Sequence, residues 1–267
     1  MKTKSGILPA FILNAAFALL EAMGGWFSGS ISILSDAVHD VGDACVIGLA
    51  LVFEAKSARA ADAHYPFGYG GYSVLGGAVT ALMLLLGSAA VIITAVGRLL
   101  HPVPVHSDAM LVLAVVGLSV NAVATFATRK GTSVNQRAVN LHMFEDLLGW
   151  AAVLLGAALI RLTGLTFIDP LLSVAVSLFV LIHAAKQLRT PIALLLHKTP
   201  ARIDAMRIEQ QLCSLDGVSK VADLRIWSTD AQTLYATVRI TGDGKAAGLV
   251  KVCLRQHGID DITVEIT

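Results

Sequence analysis

The strongest constraint on this chain is the uneven spread of its charge. Residues 1–195 contain 21 Asp, Glu, Lys and Arg side chains, whereas residues 196–267 alone contain 18. A soluble domain carries about 25% charged residues, a level that the tail reaches and the first part misses by more than half. Six apolar stretches fill that first part: Ile7–Trp26, Ile31–Phe53, Val74–Leu100, Met110–Phe126, Ala138–Leu162 and Phe167–Ala185. Each is near the roughly 20 residues that a helix needs to cross a ~30 Å hydrocarbon core. Gly, Pro, Ser and charge mark the breaks between them, as in FSGS, HPVPVHSD and TGLTFIDP. The first stretch has five successors of similar length, so it reads as a span and not as a signal peptide.

Six spans place both ends of the chain on one side. Nine Lys and Arg residues, among them Lys2, Lys56, Arg59, Arg129 and Lys186, flank the spans on that side, against Arg98 and Arg161 on the other. The positive-inside rule makes the richer side cytoplasmic. The expected organisation is a transmembrane domain over residues 1–190 and a cytoplasmic domain over residues 196–267. In the tail a helical pattern at Arg202–Leu215 precedes strand-like runs at Val218–Trp227 and Thr233–Ile240. A helix at Ala246–Gln256 and a strand at Asp261–Ile266 complete an αββαβ order, which predicts a small α+β domain with helices on one face of a sheet. The fold class is thus membrane all-α with a cytoplasmic α+β tail. A net charge of +1 with no basic run argues against nucleic acid. Cys45, Cys213 and Cys253 are odd in number and lack CxxC spacing, which removes a disulfide framework or a zinc knuckle.

Ionisable residues inside spans are costly and therefore informative. They concentrate in the second span, with Asp36, His39, Asp40 and Asp43, and in the fifth, with His142, Glu145 and Asp146; the first has Glu21. His39 and Asp43 are four residues apart and share a helix face, and His142 and Asp146 repeat the arrangement. One such pair alone is equally well an interhelical hydrogen-bonding pair. Two pairs facing each other present two imidazoles and two carboxylates, which suits tetrahedral Zn²⁺ better than Mg²⁺ or Ca²⁺. Asp36 reads as a partner to imidazole or a helix-end charge, Asp40 as a cavity or interhelix group, and Glu145 as part of the cavity wall. Glu21 reads either as a proton-accessible group or as a structural partner.

These strings together resemble the cation diffusion facilitator family of zinc transporters. The match runs through LLEAMGGWFSGSISILSDAVHDVGDA in spans one and two, FGYGGYSVLGG at the start of span three, VNQRAVNLHMFEDLLGW in span five and FIDPLLSVAVSLFVL in span six. The resemblance implies a homodimer with a metallochaperone-like tail that exports zinc from the cytoplasm in exchange for protons. It assigns the transport site to His39, Asp43, His142 and Asp146. Zinc is then substrate, with no permanent cofactor, and the short termini point to a bacterial cytoplasmic membrane. The sequence departs from the family at its accessory sites. Asp62 matches one loop ligand, but Tyr65 and Tyr69 stand at the histidine positions and His64 is displaced by one. Ala222 and Asp261 stand where tail histidines are frequent, leaving His257, Asp223, Asp260 and Asp261. Gly71 and Ser73 replace the usual basic and acidic residues of the FGYG segment.

His101 and His106 read as solvated loop residues, and His183 and His197 as residues flanking the membrane exit. Two other readings of the same zinc chemistry compete: an intramembrane metallohydrolase and a metal-sensing membrane protein. The first lacks an H-E-x-x-H helix and, with four protein ligands, an open position for water. The second is disfavoured by the missing tail histidines.

Overall fold

The computed structural model describes residues 6–28, 31–100, 107–165 and 167–267, with the side chains of 24–28, 31–39, 107–110 and 169 outside the description. Six long helices come first: α1 (Ile7–Ser28), α2 (Ile31–Ser57), α3 (Gly71–Leu100), α4 (Ser107–Thr128), α5 (Val134–Thr163) and α6 (Ile168–Leu195). Among the described residues, four of them are long and apolar enough to cross a membrane, and α1 contributes a shorter apolar run, Ile7–Met23. The described part of α2 is set apart by Asp40, Asp43, Glu54 and Lys56.

The bundle is apolar outside and small or polar inside. Leu19, Ile93, Val112 and Leu162 are all more than 60% exposed, as suits side chains that face lipid. The interior instead collects Ala10, Ala50, Ala124 and Ala138 with Asn14, Ser88, Asn121 and Asn135. Small residues let helix backbones approach closely where no hydrophobic force separates protein from solvent. Gly77 shows the need directly: a Cβ there would lie 2.7 Å from Val134 Cγ1, so the start of α3 can meet α5 only through a glycine. A core of Ile7, Ile47, Ala50, Ala124, Val139 and Met143 joins α1, α2, α4 and α5.

Local chemistry sets the helix ends. Ser133 caps α5 by accepting from Gln136 N at 3.0 Å, and the Gln136 side chain returns the bond in a capping box, so the helix starts four residues before the expected Ala138. Gly164, at φ 73°, closes it through its N–H to Ile160 O. The largest departure from expectation is α6, which continues past Ala185 through Lys186, Arg189 and an internal Pro191. It ends where His197 adopts φ 53° and donates its N–H to Leu194 O, so His197 is a helix cap, whereas His183 lies inside the helix with Nδ1 2.8 Å from Phe179 O.

The chain divides into two compact units, 1–191 and 192–267. The second contains α7 (Ala205–Cys213), β1 (Val218–Ser228), β2 (Leu234–Gly242), α8 (Ala246–Gln256) and β3 (Asp261–Ile266). The sheet order is β1-β2-β3, with Leu224 opposite Val238 in the antiparallel pair and Val238 beside Val264 in the parallel one. Ile208 and Leu212 of α7 and Val250 and Leu254 of α8 pack on Ile226, Val238 and Ile240. Helix α7 starts later than its apolar pattern because Asp204 is the N-cap, accepting from Arg207 N. The fold class is thus a membrane bundle of six long helices followed by a small α+β unit.

Candidate metal centre

Asp43 on α2 and His142 and Asp146 on α5 converge inside the bundle. Each offers a ligand atom, and these atoms all lie within 4.8 Å of one another. His142 Nε2 is 3.6 Å from Asp43 Oδ1. Metal bonds of about 2.0–2.2 Å in a tetrahedron put neighbouring ligand atoms roughly 3.3–3.6 Å apart, so this pair already stands near zinc-like spacing. His142 is 5% exposed, and neither of its ring nitrogens has a hydrogen-bond partner; Asp146 Oδ2 has none either. Buried polar atoms without partners are expensive. One imidazole nitrogen of His142 with a carboxylate oxygen each from Asp43 and Asp146 forms an electron-pair donor set suited to a cation. His39 lies in α2 one turn before Asp43, and its side chain, like that of Asp36, falls outside the described residues.

The surroundings fix α5. Thr125 Oγ1 donates to Met143 O at 2.7 Å, and Asn140 Nδ2 donates to Thr125 O and Thr128 Oγ1, so α4 grips α5 beside His142. Glu145 Oε1 accepts from Ser88 Oγ at 3.1 Å and so faces α3. Trp150, one turn beyond Asp146, packs edge-on against Phe17 of α1 with ring centres 5.6 Å apart. Glu21 is buried in α1, and Asp40 is half-buried.

Residues 7–196 match the family model described as the cation efflux transmembrane domain. The chain belongs to the cation efflux family. It is similar to the zinc transporter ZitB of Yersinia pestis, 35% identical over 87% of this chain and 77% of that protein. It is also similar to the metal cation efflux system protein CzcD of Cupriavidus metallidurans, 31% identical over 88% and 75% of the two chains. The cadmium, cobalt and zinc/H(+)-K(+) antiporter of Bacillus subtilis is 30% identical over 84% and 74%. This cation efflux protein is therefore an integral membrane transporter of divalent metal cations and not an enzyme.

Away from the bundle interior, Asp62, His257, Asp260 and Asp223 of this cation efflux protein are engaged with protein groups. Asp62 accepts from His64 N and Tyr65 N through Oδ1 and from the Tyr69 hydroxyl through Oδ2 at 2.7 Å. The Tyr69 phenol, with the backbone N–H groups of Tyr65 and His64, holds the Asp62 carboxyl below its ordinary range, and the same bond raises Tyr69. In the tail, His257 Nε2 is 2.7 Å from Gln211 Oε1, Asp260 Oδ2 accepts from Leu234 N, and Asp223 pairs with Arg225. Among the described residues, Asp43, His142 and Asp146 form the one group of three or more His, Cys, Asp or Glu with such spacing. His101 and His106 lie outside the described residues.

Sequence reasoning missed Glu54. Its side chain is 3% exposed at the end of α2, yet it accepts from Ser73 Oγ of α3, from Ser133 Oγ, which caps α5, and from Asn135 Nδ2 and Gln136 Nε2 of α5, at 2.9–3.4 Å. Its helical phase was the available signal: eleven residues after Asp43 is three turns, within about 20° of the same face.

Proposed function

We propose that this protein exports zinc from the cytoplasm in exchange for protons. The reading is carried by the convergence of Asp43, His142 and Asp146 within 4.8 Å on two facing helices of a cation efflux domain. His39, one turn from Asp43, completes a set of two imidazoles and two carboxylates, which gives zinc a four-coordinate N/O site with near-zero net charge. The relatives named as zinc transporters, and the one named as a cadmium, cobalt and zinc antiporter, support this substrate class.

Exchange follows from the ligand chemistry. A metal binds the deprotonated forms, so loading releases protons and protonation releases metal. Ordinary imidazole titrates near ~6.5, within reach of a physiological gradient. The site faces the two sides of the membrane in turn as the helices around it rearrange. The working form is a homodimer in a bacterial inner membrane with both termini in the cytoplasm. The test is transport into vesicles containing the purified full chain and a trapped pH dye. Zinc added outside should evoke an opposite proton flux; zinc movement indifferent to an imposed pH gradient would overturn the exchange.

A further inference from the structure

Glu54 and Asp43 lie on one face of α2, and the residues between them on that face, Ile47 and Ala50, are 0% and 1% exposed. Facing them on α5, Asn135 and His142 are separated by Ala138 and Val139, both 0% exposed. The two helices that carry the proposed ligands are therefore joined twice, at the ligand cluster and at the Glu54 cluster, with an apolar layer between. Eleven residues of helix put Glu54 about 16 Å from Asp43 along α2. This end holds the α2–α3 loop and the start of α5, and Gly76 allows the close approach there: a Cβ on it would lie 2.6 Å from Asn135 Oδ1.

We infer that Glu54 is a latch: its carboxylate holds α2, α3 and α5 together at this end, and its bonds to α5 must part before a cation reaches the ligand cluster from that side. A buried acceptor shared by four donors from two other helices ties them far more firmly than the apolar layer does, because parting the helices strips the donors of partners unless water enters. Entry of water is the opening itself. Glu54 is thus a positioning residue for the cation pathway. Its regulatory meaning rests on the proposed metal site, although the latch is defined by its own contacts.

The test uses the full chain in lipid nanodiscs with Cys45→Ser, Cys213→Ser and Cys253→Ser, and Val139→Cys as reporter inside the apolar layer. Maleimide alkylation of that thiol should be slow with Glu54. It should rise about tenfold in Glu54→Gln, the change expected from losing one charge-assisted hydrogen bond. In vesicles Glu54→Gln should lower the half-saturating zinc concentration at this side and also the maximal rate, whereas a merely structural loss lowers the rate alone. An unchanged alkylation rate in a protein that melts normally would overturn the latch. Should Glu54→Gln not fold, Gln136→Ala removes one donor from the α5 side and must raise the rate in the same direction. Repeating the alkylation with Asp43→Asn separates the two readings. The Glu54 effect should persist there while any zinc dependence disappears; zinc dependence that survives Asp43→Asn contradicts the site and leaves the latch standing.

Discussion

Gly117 on α4 is where the geometry of the metal centre is most exposed to a single methyl group. A Cβ on it would overlap Cδ2 and Cε2 of Trp150 and lie 2.7 Å from Cε3, against 3.4 Å at the near edge of ordinary contact. The ring must retreat by more than the about 0.7 Å that Cε3 alone would need, since Cδ2 and Cε2 lie nearer still, and Phe17 stands edge-on to it at 5.6 Å. An indole is rigid, so the displacement passes into α5, which carries Asp146 one turn earlier and His142 one turn before that. Overpacking of this size costs about 1–3 kcal/mol. Metal bonds tolerate shifts of only about 0.2 Å, so moving the α5 ligands away from Asp43 should also weaken zinc binding, by roughly 10–100-fold as for other supporting residues of metal sites. Gly117→Ala should therefore melt earlier in detergent and bind zinc more weakly in a competition titration with a fluorescent chelator. Trp150→Phe removes the fused ring atoms that collide. Combined with Gly117→Ala it should recover part of both losses, with a coupling of about 1 kcal/mol or more. A Gly117→Ala protein with wild-type melting and zinc affinity, or a double variant no better than the sum of its parts, would refute this packing argument.

Alanine at each of His39, Asp43, His142 and Asp146 should remove most zinc uptake into vesicles while gel filtration shows a folded protein, since a closed site has no substitute ligand. Tyr69→Phe should retain most transport. It should also let the Asp62 carboxyl rise toward its ordinary 3.8, which a carbon-13 carboxyl titration reads. Because the Asp62 value is lowered in the fold, its contribution is present above the ordinary value and lost as pH falls through the lowered one, so the variant should lose loop order at a higher pH. The fragment His197–Thr267, with its own core, should fold alone and show only weak zinc binding by calorimetry, because its Asp260, His257 and Asp223 are already engaged by protein groups. His39→Asp should shrink the preference for zinc over cadmium in competitive uptake, since a carboxylate accepts longer bonds and higher coordination numbers than an imidazole site requires.

What was legible in the sequence was whatever a local pattern encodes. The αββαβ order of the tail followed from periodicity, and α8 and β3 lie where the pattern placed them. The His-x-x-x-Asp spacing on α5 sufficed to pair His142 with Asp146, because one helical turn fixes it. Boundaries set by single hydrogen bonds were less legible. β2 begins at Leu234 and not Thr233 because Asp230 Oδ1 captures Gln232 N and Thr233 N, while Asp260 Oδ2 takes Leu234 N. The Glu54 cluster was invisible for a stronger reason. Its donors come from Ser73 and from residues 133–136, some twenty to eighty positions away, and the capping box Ser133–Gln136 reveals only its local half.

The cost of a polar residue in the bundle does not by itself separate a ligand from a brace, because both carry it. Unserved atoms gathered at one point with other possible ligands do. Glu54 has a donor for each oxygen and more, Asn140 has two acceptors, and Thr125 and Ser88 each reach a partner on α5. These groups complete one another within the protein and hold helices in register. His142 and Asp146, by contrast, have atoms that no protein donor serves. A neutral imidazole has only one N–H of its own to give, and an ionised carboxylate has none, so what such a cluster lacks is positive charge. A divalent cation or protons can supply it, but not both at full occupancy on the same lone pairs. That competition is the physical content of the proposed exchange, and His142 and Asp146 are where the protein leaves the lone pairs for it.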